Sequence, residues 1–231
     1  KVDMHNGHII GGEALVRWQN DKEMIYPDQF IPVLEKNGYV IDVDNFIWNK
    51  VCACIKMMED KGIEPVPISV NVSRMHVYQE KFTENLKNMA GEYGIDPKYI
   101  PLEITESAFT KEEGSLFKKV QSLQGYGFKF SMDDFGSGYS SLGMLKSERV
   151  DEVKIDKTFV DDIATDKGKV LLGNVIRMIN ELGIDMIAEG VETKEQADFL
   201  KENGCMYAQG YYYYKPMPIE EFAKLLENSA R

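Results

Sequence analysis

Seven short apolar segments of this chain each carry a charged or metal-seeking side chain, and six of them place it at or just past the segment's end. In order, these residues are Glu13, Asn71, Glu103, the pair Asp133 and Asp134, Lys154 with Asp156, Glu189, and Gln209. Almost all offer oxygen, the ligand atom that hard divalent cations take. A strand that feeds a loop with a carboxylate at its tip, repeated along a chain, builds the catalytic mouth of a β/α barrel. Asp133-Asp134 is the sharpest of these signals. At a strand's end both can turn toward one pocket, where one carboxylate bridges two metals and the other holds the second. Two metals about 3.5–4 Å apart clamp the attacking and leaving oxygens of an in-line phosphoryl displacement. The alternative for a lone Asp-Asp is a solvated acidic turn.

The other residues each carry two readings. Glu103 lies inside its segment between Leu102 and Ile104, where a carboxylate is costly unless it is paired or metal-bound. Glu106 stands at the end of the same segment and either shares the site or ties down a neighbouring loop. Asn71 is a turn former or a neutral oxygen ligand in a crowded carboxylate cluster. Lys154, between Val153 and Ile155, must reach an interior anion or snorkel outward; facing inward, it holds an attacking water or balances the site's charge. Glu189 is a candidate general base, with a helix-cap role as the alternative and Glu192 as the more structural partner. Gln209 contacts substrate or water, or packs. Arg17 has the fork geometry that suits a phosphate. The glycines of FGSGYSS allow positive φ and a loop that closes over a ligand. The tyrosine run at 211–214 reads as a strand covered on both faces.

These side chains need a frame. Strand-like runs fall at 12–18, 67–73, 101–106, 128–134, 151–156, 185–190 and 206–211. Between them lie helical periodicities. Residues 43–61 put Val43, Phe46, Ile47, Val51, Cys54, Ile55 and Met58 on one stripe, closed by Gly62. Residues 167–182 do the same with Val170, Leu171, Val175, Ile176, Ile179 and Leu182. Thr193-x-x-Gln196 is a capping-box pattern, and residues 218–227 form a last amphipathic helix. Alternating β and α units imply a parallel sheet with helices outside it. Seven strands are counted where a closed barrel needs eight, so the missing one is expected to precede residue 1. Asn6-Gly7 marks a tight turn between two extended runs, and the run ending near Met4 reads as the tail of a truncated first strand. A single domain over 1–231 is the simplest organisation.

Composition narrows the partners. The net charge of -11 and pI of about 4.9 repel nucleic-acid polymers and anionic membranes. A small phosphorylated substrate would need cations to offset that field. Three cysteines, Cys52, Cys54 and Cys205, form no disulfide framework and point to a reducing, cytoplasmic compartment. Cys52-x-Cys54 sits in a helical pattern and reads as core. His5, His8 and His76 lack zinc-ligand spacing. No stretch approaches the roughly 20 apolar residues of a membrane span, and no signal peptide is visible. The chain opens without methionine and is read as cut from something longer.

Taken together, the blocks Glu13-Ala14-Leu15-VRW, PDQFIPVLE, VNVS, LEITES, DDFGSGYSSL, VKIDKTFV, AEGVET and QGYYYYKP resemble the EAL domain family, phosphodiesterases that cleave cyclic di-GMP. The match runs from about residue 3 to 218. The resemblance implies a TIM-like (β/α)8 barrel with one antiparallel strand, dependence on Mg²⁺ or Mn²⁺ in the form of two ions, inhibition by Ca²⁺, and linear 5'-pGpG as the product of in-line attack by a metal-bound water. It implies that Glu13, Asn71, Glu103 and Asp133 hold the first metal, and that Asp133, Asp134 and Glu189 serve the second. Lys154 would position the water, Glu189 act as base, and Glu106 brace the DDFGSG loop, which also borders a homodimer interface. Leu15, Arg17, Asp156 and Gln209 would face the substrate. The family's Gln-Pro pair on the first strand lies upstream of Val2-Asp3. Two other readings stay open: a catalytically weak EAL domain acting as a cyclic di-GMP receptor and dimerisation module, and enolase-like proton abstraction, against which the double aspartate argues.

Overall fold

Eight short strands make one curled sheet, and its register explains why residues so far apart in sequence face one another. The computed structural model describes residues 1–20, 23–106, 108, 113–136, 145 and 150–229. The sheet contains β1 (Val2–Asp3), β2 (Gly12–Ala14), β5 (Ile68–Asn71), β6 (Leu102–Thr105), β7 (Phe130–Phe135), β8 (Glu152–Ile155), β9 (Asp185–Ala188) and β10 (Tyr207–Ala208), while β3 (Trp18–Gln19) and β4 (Met24–Ile25) form a separate hairpin that periodicity does not announce. The strand order is β1-β10-β9-β8-β7-β6-β5-β2. Pairing is parallel from β2 round to β10, and β1 alone runs antiparallel, against β10.

The run ending near Met4 is therefore the eighth strand. Gly7 adopts φ 76 at the turn after it, and the chain returns alongside: Val2 bridges Ile9, and Ile10 N donates to Lys1 O at 2.9 Å. The Lys1 nitrogen donates to Gly11 O at 2.9 Å. Because this returning segment continues into β2, the hairpin joins the two edges of the sheet, and the fold is a TIM-like barrel with one antiparallel strand.

Side chains on a strand alternate between faces, so steps of two from paired residues stay on one face. Glu13 pairs in register with Ser69, and Asn71 lies two residues beyond. Asn71 pairs with Glu103, and Glu103 with Ser131, two residues before Asp133. Lys154 pairs with Ile187, and Ile187 with Tyr207; Glu189 and Gln209 each lie two residues further on. The barrel interior thus carries a polar layer toward the C-terminal ends of its strands.

Helices coat the outside, and two stripes differ from the periodic reading. In α2 (Val40–Asp60), Val51, Cys52, Cys54, Ile55 and Met58 are buried, but so are Asp44 and Trp48, while Phe46 is 59% exposed. With α1 (Pro27–Asn37), α3 (Arg74–Tyr78), α4 (Phe82–Tyr93), α5 (Glu113–Gln124) and α6 (Lys157–Asp161) preceding it in chain order, α7 spans Asp166–Glu181. Its inward face is Gly168, Leu172, Ile176 and Ile179, leaving Val170 and Leu171 66% and 52% exposed. Gly168 packs on the turn just before the helix, where a Cβ would lie 2.0 Å from the Asp162 carbonyl oxygen, a contact that no hydrophobic pattern marks. The box at Thr193 and Gln196 opens α8 (Lys194–Glu202), and α9 (Ile219–Ser229) closes the chain. The three cysteines are free and buried. The tyrosine run forms no strand. The chain turns at Gly210, and Tyr211, Tyr212 and Tyr214 stay exposed.

Gly210 sits beside Gln209 with φ 156, and a Cβ would fall 2.2 Å from Val191 O and 2.3 Å from Val191 N. Gly210→Ala is expected to cost about 3 kcal/mol by this backbone clash, a fall in melting temperature of about 6–12 °C. Scanning calorimetry of the variant checks this, and an unchanged melting temperature refutes the account.

Candidate active site

The polar layer converges on one ammonium. Lys154 Nζ lies 2.7 Å from Glu103 Oε2, 2.8 Å from Glu189 Oε1, 2.9 Å from Asp133 Oδ1 and 3.3 Å from Glu13 Oε2. Carboxylates from β2, β6, β7 and the end of β9 meet a lysine on β8 that is 1% exposed. An ammonium has three protons, so it cannot serve four acceptors equally. Gln209 supplies further donation, from Nε2 to Glu13 Oε2 at 2.7 Å and to Glu189 Oε1 at 2.8 Å. Asn71 Nδ2 reaches Glu13 Oε1 at 3.3 Å.

Below this layer is a group that sequence reasoning missed. Lys1 Nζ contacts Glu103 Oε1 at 3.1 Å and Glu152 Oε1 at 3.2 Å, and Ser131 Oγ donates to the same Glu152 oxygen at 2.8 Å. Glu103, buried between two ammoniums, is a buried ion pair as well as a candidate ligand. The only signal for Lys1 is its spacing: one residue before Val2, on a strand whose pairing partners are known only from the fold.

Asp134 enters the same space through a local distortion. The β7–β8 register shifts between Met132 and Phe135, and Asp134 takes φ 55, a left-handed conformation that Asp tolerates better than most residues. Its backbone nitrogen donates to Asp133 Oδ1 at 3.1 Å. This bulge lets two adjacent carboxylates share a pocket. Oxygens of Asp133, Asp134 and Glu189 all lie within 4.8 Å of one another.

Burial and mutual repulsion set the protonation states. Burial pushes the Glu189 carboxyl up to about 8; Lys154 offsets part of that, while Asp133 and Glu13 add to it. Glu13 is raised by burial and then by Glu103, and Asp133 by burial and Glu103 against the pull of Lys154. Asp134 is raised by burial and by nearby Asp156. Glu103 goes the other way, down to about 2: burial opposes ionisation, but Lys154 and then Lys1 outweigh it. Burial works against the Lys154 charge too, and Glu103, Glu13, Glu189 and Asp133 overcome it, raising its pKa well above the ordinary lysine value. Five clustered carboxylates against two ammoniums form a donor set with surplus negative charge, all oxygen, which fits a divalent cation.

The remaining candidates lie at the rim. Glu106 is 2% exposed, and its Oε2 accepts from Gly136 N at 3.2 Å. Residues 137–142 of the DDFGSGYSSL block lie outside the described residues. Asp156 accepts from Thr158 N at 2.9 Å and caps α6. Leu15 is 46% exposed just past β2. Arg17 donates from Nη1 to Val16 O at 2.8 Å, with its guanidinium 5.6 Å from the Tyr26 ring centroid. Glu192 pairs with Lys157 at 2.9 Å, outside the cluster. Among the described residues no helix is long and apolar enough to cross a membrane.

The geometry defines a TIM-like barrel with an acidic, lysine-centred mouth. Residues 1–216 match the EAL domain, and the chain belongs to that family. It is 35% identical over 223 residues to the oxygen sensor protein DosP of Escherichia coli K12, across 96% of this chain and 28% of DosP. It is likewise 35% identical over 232 residues to the probable cyclic di-GMP phosphodiesterase PdeB of the same organism, across 98% of this chain and 43% of PdeB. The chain thus spans less than half the length of either relative. The PaMucR phosphodiesterase in its c-di-GMP complex superposes with a TM-score of 0.90 at 32% identity, covering 96% of this chain and 90% of that one.

Protons and cations compete for these carboxylates. Glu189, raised to about 8 from an unfolded value of 4.5, binds a proton in the folded state between those limits. Its contribution to metal-free stability is therefore full below about 4.5 and lost as pH rises through about 8. Metal-free protein is expected to lose stability from pH 6 to 9, and Glu189→Gln to flatten that slope. Chemical denaturation across that range checks the sign; a wild-type slope that Glu189→Gln leaves unchanged assigns the titration elsewhere.

Proposed function

We propose that this chain is a metal-dependent phosphodiesterase domain, acting as one unit over 1–231, that hydrolyses cyclic di-GMP to linear 5'-pGpG. The observation that carries the reading is the meeting of Glu13, Glu103, Asp133 and Glu189 on Lys154, with Asn71, Asp134 and Gln209 beside them. Membership of the EAL family and the likeness to a phosphodiesterase in complex with c-di-GMP support the substrate. Two Mg²⁺ or Mn²⁺ ions, held by Glu13, Asn71, Glu103 and Asp133 and by Asp133, Asp134 and Glu189, would supply the positive charge that phosphoryl displacement draws on.

The protein's own groups divide the remaining work. Glu189 accepts the proton of the attacking water as the new bond to phosphorus forms and the bond to the 3' oxygen breaks; that oxygen takes a proton and leaves the phosphate on the 5' side. Lys154 holds the water's position and the charge around it. Gln209 ties Glu13 to Glu189 through one amide, fixing the base relative to its neighbours. Arg17, by exchanging its Val16 carbonyl for a phosphate oxygen, grips the substrate from the rim. Leu15 and Asp156 border the same opening. Glu106 holds the start of the loop after β7 through Gly136 N.

Incubation of the protein with cyclic di-GMP and Mn²⁺, followed by chromatography, should yield pGpG, and added Ca²⁺ should suppress it. Tight binding without turnover would instead make the chain a receptor. Glu13→Ala and Asp133→Ala should each retain less than about a tenth of wild-type turnover with the fold intact, since contacts worth several kcal/mol in the transition state are lost. Higher residual rates contradict ligation by those residues. Lys154→Ala should depress turnover more than substrate binding, and equal losses would reduce its role to affinity. Sedimentation of the purified protein tests the homodimer.

A further inference from the structure

The end of β5 is gripped from outside the barrel by a buried cluster that touches none of the mouth's carboxylates. Trp48 on α2 donates from Nε1 to the main-chain oxygen of Asn71 at 3.0 Å. One turn earlier, Asp44 Oδ2 accepts from Ser73 N at 3.0 Å and pairs with His76 Nδ1 at 2.9 Å. The His76 ring then stacks on the Trp48 indole, centroids 4.4 Å apart and planes 30° from parallel. Asp44, Trp48 and His76 are 5%, 2% and 1% exposed.

The backbone is thereby fixed on both sides of Val72: at the Asn71 carbonyl by Trp48 and at the Ser73 amide by Asp44. Residues four apart on a helix lie on one face, so a single turn of α2 delivers both grips. On the sheet side, Val72 N donates to Glu103 O at 2.9 Å. Between these anchors the Asn71 side chain reaches Glu13 Oε1 through Nδ2, which leaves Oδ1 as its acceptor. Elsewhere α2 meets the barrel through Val51, Cys52, Ile55 and Met58. Apolar contacts of that kind anchor a helix without polar groups. A buried, mutually satisfied polar network instead specifies one geometry, here at the residue before the mouth.

We infer that Trp48, with Asp44 and His76 holding it, is a positioning residue for the cation site: it sets the peptide of Asn71 so that the Asn71 amide faces the carboxylates. The inference rests on the cation reading above and adds residues that contact neither cation nor substrate. Trp48→Phe removes the indole N–H and keeps a ring to stack on His76. The full chain, freed of metal, is titrated with Mn²⁺ alone, and free ion is read by electron paramagnetic resonance. Trp48→Phe is expected to weaken Mn²⁺ binding about three- to tenfold, the scale of one lost hydrogen bond. In an Asn71→Ala background the same change should add less than about twofold, because coupled residues are non-additive. A general loss of stability would act alike in both backgrounds. Equal losses in both, or none in either, overturn the inference. If wild-type protein takes up no Mn²⁺, the cation reading fails, and the positioning role is then judged by the Asn71 side-chain amide resonance. That resonance must move in Trp48→Phe while the fold is retained; an unmoved resonance overturns the role.

Discussion

A buried ammonium surrounded by carboxylates from four strands is the constraint on which the rest of this barrel depends. Lys154 can sit 1% exposed only because Glu103, Glu189, Asp133 and Glu13 lie within 3.3 Å of it. Those carboxylates can crowd together only because the ammonium is there. Removing either side would strand uncompensated charge in the interior, which costs several kcal/mol. Lysine suits the position because its charge is compact and its three donors rotate; a planar guanidinium would satisfy one carboxylate well and the others poorly. The arrangement still carries surplus negative charge, and that surplus makes the mouth receptive to cations.

Support for this centre comes from three directions. From below, Lys1 and Ser131 engage Glu152, and Lys1 also reaches Glu103, so Glu103 is fixed by both oxygens. From the strand tips, the bulge at Asp134 and the turn at Gly210 aim Asp134 and Gln209 at the cluster. Each device uses a backbone conformation that ordinary residues avoid. From outside, Asp44, Trp48 and His76 hold the end of β5. The hairpin that closes the sheet completes the set, because without β1 beside β10 and the segment before β2, the two ends of the polar layer would not be joined.

Much of the site was readable before any folding. Apolar runs with oxygen-bearing ends point to a barrel mouth because burying a carboxylate between Leu102 and Ile104 has few physical explanations. The same logic covers Lys154, whose neighbours Val153 and Ile155 leave it an interior partner or a strained exit. Thr193 and Gln196 announce a helix start through hydrogen bonds made within four residues. Local rules of that kind survive translation into structure.

What escaped were features set by partners distant in the chain. Phe46 and Val170 match a helical stripe yet face solvent: α2 turns Asp44 and Trp48 inward to partners at the end of β5, and α7 turns Leu172, Ile176 and Ile179 inward instead. The tyrosine run has strand-forming composition but turns outward, since Gly210 must approach the Val191 backbone too closely for a side chain. The partners of Lys1 and His76 lie 102 and 32 residues away, and the position of Lys1 one residue before Val2 carries meaning only once the strand's partners are known. A chain's order of residues dictates which groups can bear charge, bind oxygen or bend, because those are properties of single side chains and their neighbours. Which of them meet, and at what protonation, is a property of the closed barrel, because burial and the distance between charges exist only once it has formed.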